Sequence, residues 1–130
     1  MVKKHENKKI GALGEDIAAK FLKNKGFEIL DRNYKKNYGE IDIIAKKDGK
    51  THFVEVKSVR CSLQENVTRE KIDYRPEEMV HAGKIRKIST VATEYIIRKK
   101  IEGDFQVDVV AVFIDEKKRV GRCRFTENIS

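Results

Sequence analysis

The 130-residue sequence has little cysteine and proline: it contains two cysteines, Cys61 and Cys123, and one proline, Pro76. The cysteines are far apart and form no Cys-x-x-Cys pair, which excludes a disulfide framework and a cysteine-rich zinc site. No apolar run is long enough to cross a membrane, and the opening MVKKHENKKI lacks the apolar segment of a secretory signal. We therefore expect a cytoplasmic protein with reduced thiols and no membrane partner.

Positive charge is in excess. The chain carries 29 lysine and arginine residues against 21 aspartate and glutamate residues, a formal net charge of +8. A protein of this charge gains binding free energy from counterion release when it contacts a polyanion. Nucleic acid is therefore the partner that the composition favours.

The N-terminal half predicts a short arm followed by a helix. Four lysines and almost no apolar residues indicate a flexible basic arm over residues 1–9, and residues 10–130 have the length of a single domain. The segment GALGEDIAAKFLKNKG has apolar residues such as Leu13 and Leu22 at helical spacing, and Gly26 is placed to end the helix.

The second half predicts an irregular loop and a second helix. Residues 58–76 have no clean hydrophobic period and predict a long loop. A helical pattern follows Pro76, with Glu77 and Glu78 in its first turn, and ends before Gly103.

Four segments predict strands, of which the second forms a hairpin: 27–34, 39–57, 105–114 and 120–126. The element order α-β-β-β-α-β-β indicates an α/β domain, with a central mixed sheet flanked by two helices.

The hairpin sequence fixes a register. Asp48-Gly49 between apolar stretches predicts a two-residue type I′ turn. The numbers of opposed residues then add up to 97, so Asp42 lies opposite Glu55 and Glu40 lies opposite Lys57. One face of the hairpin is then entirely apolar and faces the core: Ile41, Ile43, Ala45, Val54 and Val56.

The opposed acids predict a metal site. Two carboxylates whose Cβ atoms are about 5 Å apart repel each other unless a cation lies between them. Hard oxygen ligands suit Mg²⁺ or Mn²⁺, and the backbone carbonyl of Val56 can add another ligand. Lys57 on the same face can hold an attacking water or stabilise charge on a phosphate. The alternative is a surface of salt-bridged strands, in which Glu40 pairs with Lys57 and Asp42 reaches another lysine.

An acid in one strand followed by Glu-x-Lys in the next resembles the PD-(D/E)xK nuclease superfamily. The segments GALGEDIAAKFL, GEIDIIAKKDGKTHFVEVKS, KIRKIS and QVDVVAV occur in the order seen in the YraN-like family of predicted endonucleases, which are similar to archaeal Holliday-junction resolvases. The resemblance covers about residues 10–114. It implies a restriction-endonuclease-like fold and a Mg²⁺-dependent endonuclease acting on DNA, including branched DNA, as a homodimer. The alternative is a non-catalytic nucleic-acid-binding module on the same fold.

The resemblance also implies residue roles. Asp42 and Glu55 match the metal ligands, and Lys57 matches the catalytic lysine. Glu15 matches an acid on the first helix beside the metal, although a solvated or dipole-pairing glutamate is the alternative. Glu40 matches the Gly-Glu-Ile-Asp motif, with a role in supporting the site or orienting Lys57.

Further positive and polar residues are candidates for contacts with nucleic acid. Ser58 and Arg60 follow the catalytic lysine, although the family often has the arginine directly after the hydroxyl residue. Lys84 and Lys87 project from the second helix, where a solvated helix face is the alternative. The three histidines do not cluster at metal spacing, and Asp108, inside an apolar strand, needs a partner but receives no catalytic role.

Overall fold

A computed structural model describes residues 4–63, 75–80 and 82–129. One five-stranded sheet has the order β1-β2-β3-β4-β5, in which β3 and β4 are parallel and the other neighbours are antiparallel. No helix in this part of the chain is long and apolar enough to span a membrane. The predicted element order and mixed sheet are confirmed; the elements are α1 (Lys4–Asn24), β1 (Glu28–Lys36), β2 (Gly39–Lys47), β3 (Lys50–Arg60), a 3-10 turn (Pro76–Met79), α2 (Ala82–Lys99), β4 (Phe105–Asp115) and β5 (Val120–Thr126).

The first helix is longer than its apolar pattern indicated. It begins at Lys4, so residues 4–9 of the predicted flexible arm are helical, and residues 1–3 lie outside the described residues. Ile10 is buried whereas Leu13 is 45% exposed, so the buried stripe begins one turn earlier than expected. The predicted end is confirmed: Gly26 has φ of +94°, and the N–H of the following residue, Phe27, donates to the carbonyl of Leu22 at 3.0 Å.

The second helix begins later than predicted. Its first residue is Ala82, and Glu77 belongs to the preceding 3-10 turn, where Arg124 binds its carboxylate at 2.7 Å. This ion pair, rather than a helix dipole, therefore accounts for the position of Glu77. Of the loop predicted over residues 58–76, residues 58–60 belong to β3 and residues 64–74 lie outside the described residues.

Each face of the sheet is covered by one helix. Alternate strand residues pack on α1 or on α2, so both sides of the central strands are buried. The cluster under α1 includes Ala18, Leu22, Ile43, Ala45, Val54, Val110 and Val112. The cluster under α2 includes Ile41, Ile44, Phe53, Ile88, Val91, Ala92 and Tyr95.

The β2–β3 hairpin has the predicted turn. Asp48 and Gly49 have φ of 51° and 77°, the left-handed values that a type I′ turn requires. Five residue pairs follow the predicted register, from Lys47 opposite Lys50 to Ile43 opposite Val54. The described pairing ends there, one step before Asp42 and Glu55.

Near Asp42, the side chains of β1 and β2 no longer alternate regularly between the two faces of the sheet. Ile41 packs in the α2 cluster whereas Ile43 packs in the α1 cluster, so the prediction that they share a face is wrong. In the β1–β2 register, Arg32 lies opposite Ile43 and Tyr34 lies opposite Ile41. Asn33 and Asp42 lie between these two pairs and are therefore opposite each other. Asn33 has a left-handed φ of 51°, and this local reversal of β1 accompanies that of β2.

Helix α1 approaches β3 closely at Gly14. A Cβ atom at this position would lie 1.7 Å from Oγ of Ser58, a distance that no side chain tolerates. Gly11, one turn earlier in the same helix, has open space around the same position. Gly14 therefore lets the helix lie against the strand that carries Glu55.

These two glycines make a matched pair for a stability test. Gly11→Ala should raise the free energy of unfolding by up to about 1 kcal/mol, because alanine favours the helix. Gly14→Ala should lower it by about 1–3 kcal/mol, because the added methyl group overpacks the contact with Ser58. Urea unfolding of both variants measures the difference, and equal effects would show that α1 does not pack on β3 as described.

Candidate metal centre

Asp42 is held by the neighbouring strand. The N–H of Val56 in β3 donates to Oδ2 of Asp42 at 2.8 Å. Because the described backbone pairing of β2 with β3 ends at Ile43 and Val54, this side-chain bond occupies the place of a further ladder bond. The carboxylate of Asp42 is thereby fixed between the two strands.

Glu55 lies next to Asp42 and is short of hydrogen-bond donors. It is 6% exposed, and its Oε2 atom has no hydrogen-bond partner in the described part of the chain. Nζ of Lys84, from α2, is 3.7 Å from the other oxygen, Oε1, which is too long for a hydrogen bond. A buried carboxylate oxygen that has no hydrogen-bond donor is stabilised when it binds a proton or a cation.

Burial and mutual repulsion raise the pKa values of both acids. Burial raises the pKa of Glu55 to about 7, and the negative charge of Asp42 adds to this effect, whereas Lys84 and Lys57 oppose it. Burial also raises the pKa of Asp42, although the hydrogen bond from Val56 opposes the increase. The two carboxyl groups hydrogen bond to each other, so the pair retains a proton more readily than isolated acids do.

Two further acids approach the pair. Burial raises the pKa of Glu15 on α1, and the charges of Asp42 and Glu40 raise it further, whereas a hydrogen bond from the Asn33 side chain lowers it. Glu40 also raises the pKa of Asp42. Four of the predicted catalytic acids therefore influence one another: Glu15, Glu40, Asp42 and Glu55.

The donor set is suited to a cation that keeps water ligands. Among the described residues, no group of three or more histidine, cysteine, aspartate or glutamate side chains is arranged to hold a metal ion. The protein can offer Asp42 and Glu55, with the backbone carbonyl of Val56 as the predicted third ligand. Mg²⁺ is commonly held by one or two carboxylates and several waters, so this set fits Mg²⁺ or Mn²⁺.

The structure separates the predicted phosphate-contacting residues. Lys57 and Lys84 are both close enough to Glu55 to lower its pKa. Ser58 instead faces α1 at Gly14, and Nε of Arg60 pairs with Glu116 at 2.9 Å.

The structure also locates Lys87 and Glu40. Lys87 has an exposed side chain on α2, beside the backbone of Gly39. Glu40 lies opposite Lys35 in the β1–β2 register, and the described β2–β3 pairing does not reach the expected opposition of Glu40 and Lys57.

Sequence reasoning missed two contributions to this site. Asn33 binds Glu15 and adopts the left-handed conformation opposite Asp42. An asparagine inside a strand pattern is a signal of such an irregularity, because strands are poor in asparagine. Lys84 was expected to contact nucleic acid, but its position beside Glu55 depends on how α2 packs, which has no local signal in the sequence.

The raised pKa of Glu55 predicts a pH-dependent stability. The folded protein keeps a proton up to about pH 7 that the unfolded chain releases near pH 4.5, so without metal the free energy of unfolding falls as pH rises between these values. Glu55→Gln should remove the contribution of Glu55 to this dependence, and at pH 8 the variant should be more stable than the wild type by about 3 kcal/mol.

Urea unfolding in chelator at several pH values measures this difference. Glu28→Gln, on the exposed side of β1, is the matched control and should follow the wild-type curve. A Glu55→Gln variant whose stability falls with pH in parallel with the wild type would show that Glu55 is not buried as described.

Sequence comparisons place these residues in a family. Residues 14–112 match the family described as "Uncharacterised protein family UPF0102". A UPF0102 protein of Campylobacter jejuni is 42% identical over 120 residues, 92% of each chain. UPF0102 proteins of Campylobacter lari and Campylobacter hominis are 41% identical over 120 residues and 40% identical over 122 residues, covering 92% and 94% of each chain respectively. The match extends from α1 into β4 and includes every predicted catalytic residue, and the chain belongs to the UPF0102 family.

Proposed function

We propose that this protein is a metal-dependent endonuclease of the PD-(D/E)xK superfamily, which hydrolyses phosphodiester bonds of DNA. The observation that carries the proposal is the buried Oε2 atom of Glu55, which lacks a donor among the described residues, in a carboxyl group that interacts with that of Asp42. Lys57 follows Glu55 by two residues on the same strand, so it shares the face of the acid. Two acids and a lysine in this arrangement suit phosphodiester hydrolysis.

The acids are the proposed ligands of Mg²⁺ or Mn²⁺. Asp42 and Glu55 would each supply a carboxylate oxygen, and Val56 its backbone carbonyl. A bound divalent cation would neutralise charge on the phosphate and lower the pKa of a coordinated water. Glu15 and Glu40 add negative charge around the pair, which strengthens the attraction of a cation to this end of the sheet.

The lysines are proposed to act on the phosphate. Lys57 would stabilise negative charge on the phosphate oxygens and orient the attacking water. Lys84 faces Glu55 at 3.7 Å, and a cation that takes over Glu55 would leave the ammonium group of Lys84 available to a phosphate oxygen. Glu40 remains a candidate for orienting Lys57.

DNA is the proposed partner because the site lies beside a positive helix. The first turns of α2 carry Lys84, Arg86 and Lys87, of which all three are exposed. Together with the net charge of +8, they favour a phosphate backbone over a small substrate. Branched or junction DNA, action as a homodimer and a cytoplasmic location are parts of this proposal that the sequence resemblance supports.

Metal binding can be measured without activity. Mg²⁺ or Mn²⁺ should raise the melting temperature of the wild type, because a ligand that binds only the folded state stabilises it. Asp42→Asn should abolish the increase, since the amide can still accept the Val56 hydrogen bond but carries no charge. Glu28→Gln should retain the full increase, and an undiminished response in Asp42→Asn would place the metal elsewhere.

Cleavage tests the catalytic role directly. Plasmid, single-stranded and four-way-junction DNA are incubated with Mg²⁺, Mn²⁺ or chelator. Asp42→Asn and Lys57→Ala should each lower the metal-dependent cleavage rate by at least about 100-fold, because each removes charge stabilisation at the reacting phosphate. Lys46→Ala, an exposed lysine on β2, should cut at the wild-type rate. Salt-sensitive binding without cleavage, equal in all variants, would instead identify a non-catalytic nucleic-acid-binding module.

A further inference from the structure

A second candidate site lies at the turn end of the β2–β3 hairpin. There a cleft of about 1000 Å³ opens between the C-terminal part of α1, the hairpin and the end of β5. Its lining includes His52, whose ring contacts that of Phe27 in the α1 cluster at 4.8 Å. Glu55 is three residues further along β3, about 10 Å away, and its side chain projects from the opposite face of the sheet. The cleft is therefore distinct from the candidate metal centre.

Positive side chains dominate this cleft. The described residues that line it include five lysines and arginines but only two acids, Asp48 and Glu127. One of the five, Arg124, is already bound to Glu77, at 2.7 Å. Among the described residues, Lys25, Lys47 and Lys50 form no ion pair with an acid. The cleft thus has cationic groups available for an anion.

Two of these lysines occupy opposed positions in the hairpin. Lys47 and Lys50 lie directly opposite in the hairpin register, and both line the cleft. Like charges in opposed positions destabilise a strand pair, unless an anion lies between them. A phosphate group would remove this repulsion.

The floor of the cleft is aromatic. Phe21, Phe27 and Phe125 line it, and two lysines lie over their ring faces. Nζ of Lys25 is 5.1 Å from the Phe21 centroid, and Nζ of Lys47 is 5.2 Å from that of Phe27. Aromatic rings beside positive groups are the combination that binds bases and phosphates of single-stranded nucleic acid.

We propose that this cleft binds a nucleotide unit of single-stranded nucleic acid, with a phosphate at Lys47 and Lys50 and the base against the partly exposed ring of Phe125. The volume is sufficient for one or two nucleotides, since ligand pockets of this class span about 300–1,000 Å³. The proposal goes beyond the proposed hydrolysis and does not depend on it, because binding here requires no metal.

Fluorescence anisotropy of the full-length protein in chelator tests this site. The probes are a short labelled oligothymidylate and an abasic strand of the same length, with thymidine monophosphate as a competitor. The base-bearing strand should bind about tenfold more tightly than the abasic strand, because each stacked base contributes to affinity. Competition by the monophosphate would identify a free nucleotide as a sufficient ligand, whereas binding of the strand alone would identify the polymer.

Charge reversal supplies the matched control. Lys50→Glu should weaken binding of the oligothymidylate about tenfold, the loss expected for a charged hydrogen bond to phosphate. This variant should remain folded, because the introduced carboxylate would pair with Lys47 across the turn. Lys46→Glu makes the same charge change on an exposed residue that does not line the cleft, and should bind like the wild type. Equal weakening in both variants, or equal affinity for the base-bearing and abasic strands, would overturn the proposal.

Discussion

The hydrogen bond from the Val56 N–H to the Asp42 carboxylate is the constraint on which the candidate centre depends. In a continuous hairpin that N–H would bind a backbone carbonyl of β2 or remain unpaired, and Asp42 would point away from the strand pair. Here Ile41 and Ile43 of β2 point to opposite faces of the sheet, and the side chain of Asp42, in place of a backbone carbonyl, accepts the hydrogen bond from β3. The carboxylate is consequently locked beside Glu55, with little rotational freedom left to lose when a cation binds.

The two packed faces of the sheet keep this irregularity in place. On one side, Gly14 lets α1 pack against β3 at Ser58. This close packing brings Glu15, the next residue of the helix, near the acidic pair. On the other side α2 packs on Ile44 and Phe53, and this packing brings Lys84 to Glu55. Side chains from both helices therefore reach one end of the hairpin, where the strands separate.

Local chemistry made much of this predictable, and long-range packing accounts for the rest. The Asp-Gly pair specified the turn, and the turn specified the register as far as Ile43, because opposed residues follow from loop length alone. The reversal at Asp42 was not predictable in that way, since it accompanies the left-handed conformation of Asn33 in a different strand. The predicted start of α2 was also wrong, because the carboxylate of Glu77 forms an ion pair with Arg124 of β5 and does not interact with the N-terminus of the helix.

Two buried acids of this chain show what the alternative of salt-bridged strands would require. Asp108 is completely buried and fully satisfied: His52 contacts it at 2.6 Å, Gln106 donates at 2.7 Å and the N–H of Asn128 donates at 2.8 Å. Glu55 is almost as buried, yet it has one lysine at ion-pair distance without a hydrogen bond, an acid as its neighbour and an oxygen without a donor among the described residues. A carboxylate retained under these conditions lowers stability, and an apolar residue would serve the fold better. The contrast with Asp108 supports the proposal that Glu55 binds a cation and does not serve the structure of the sheet.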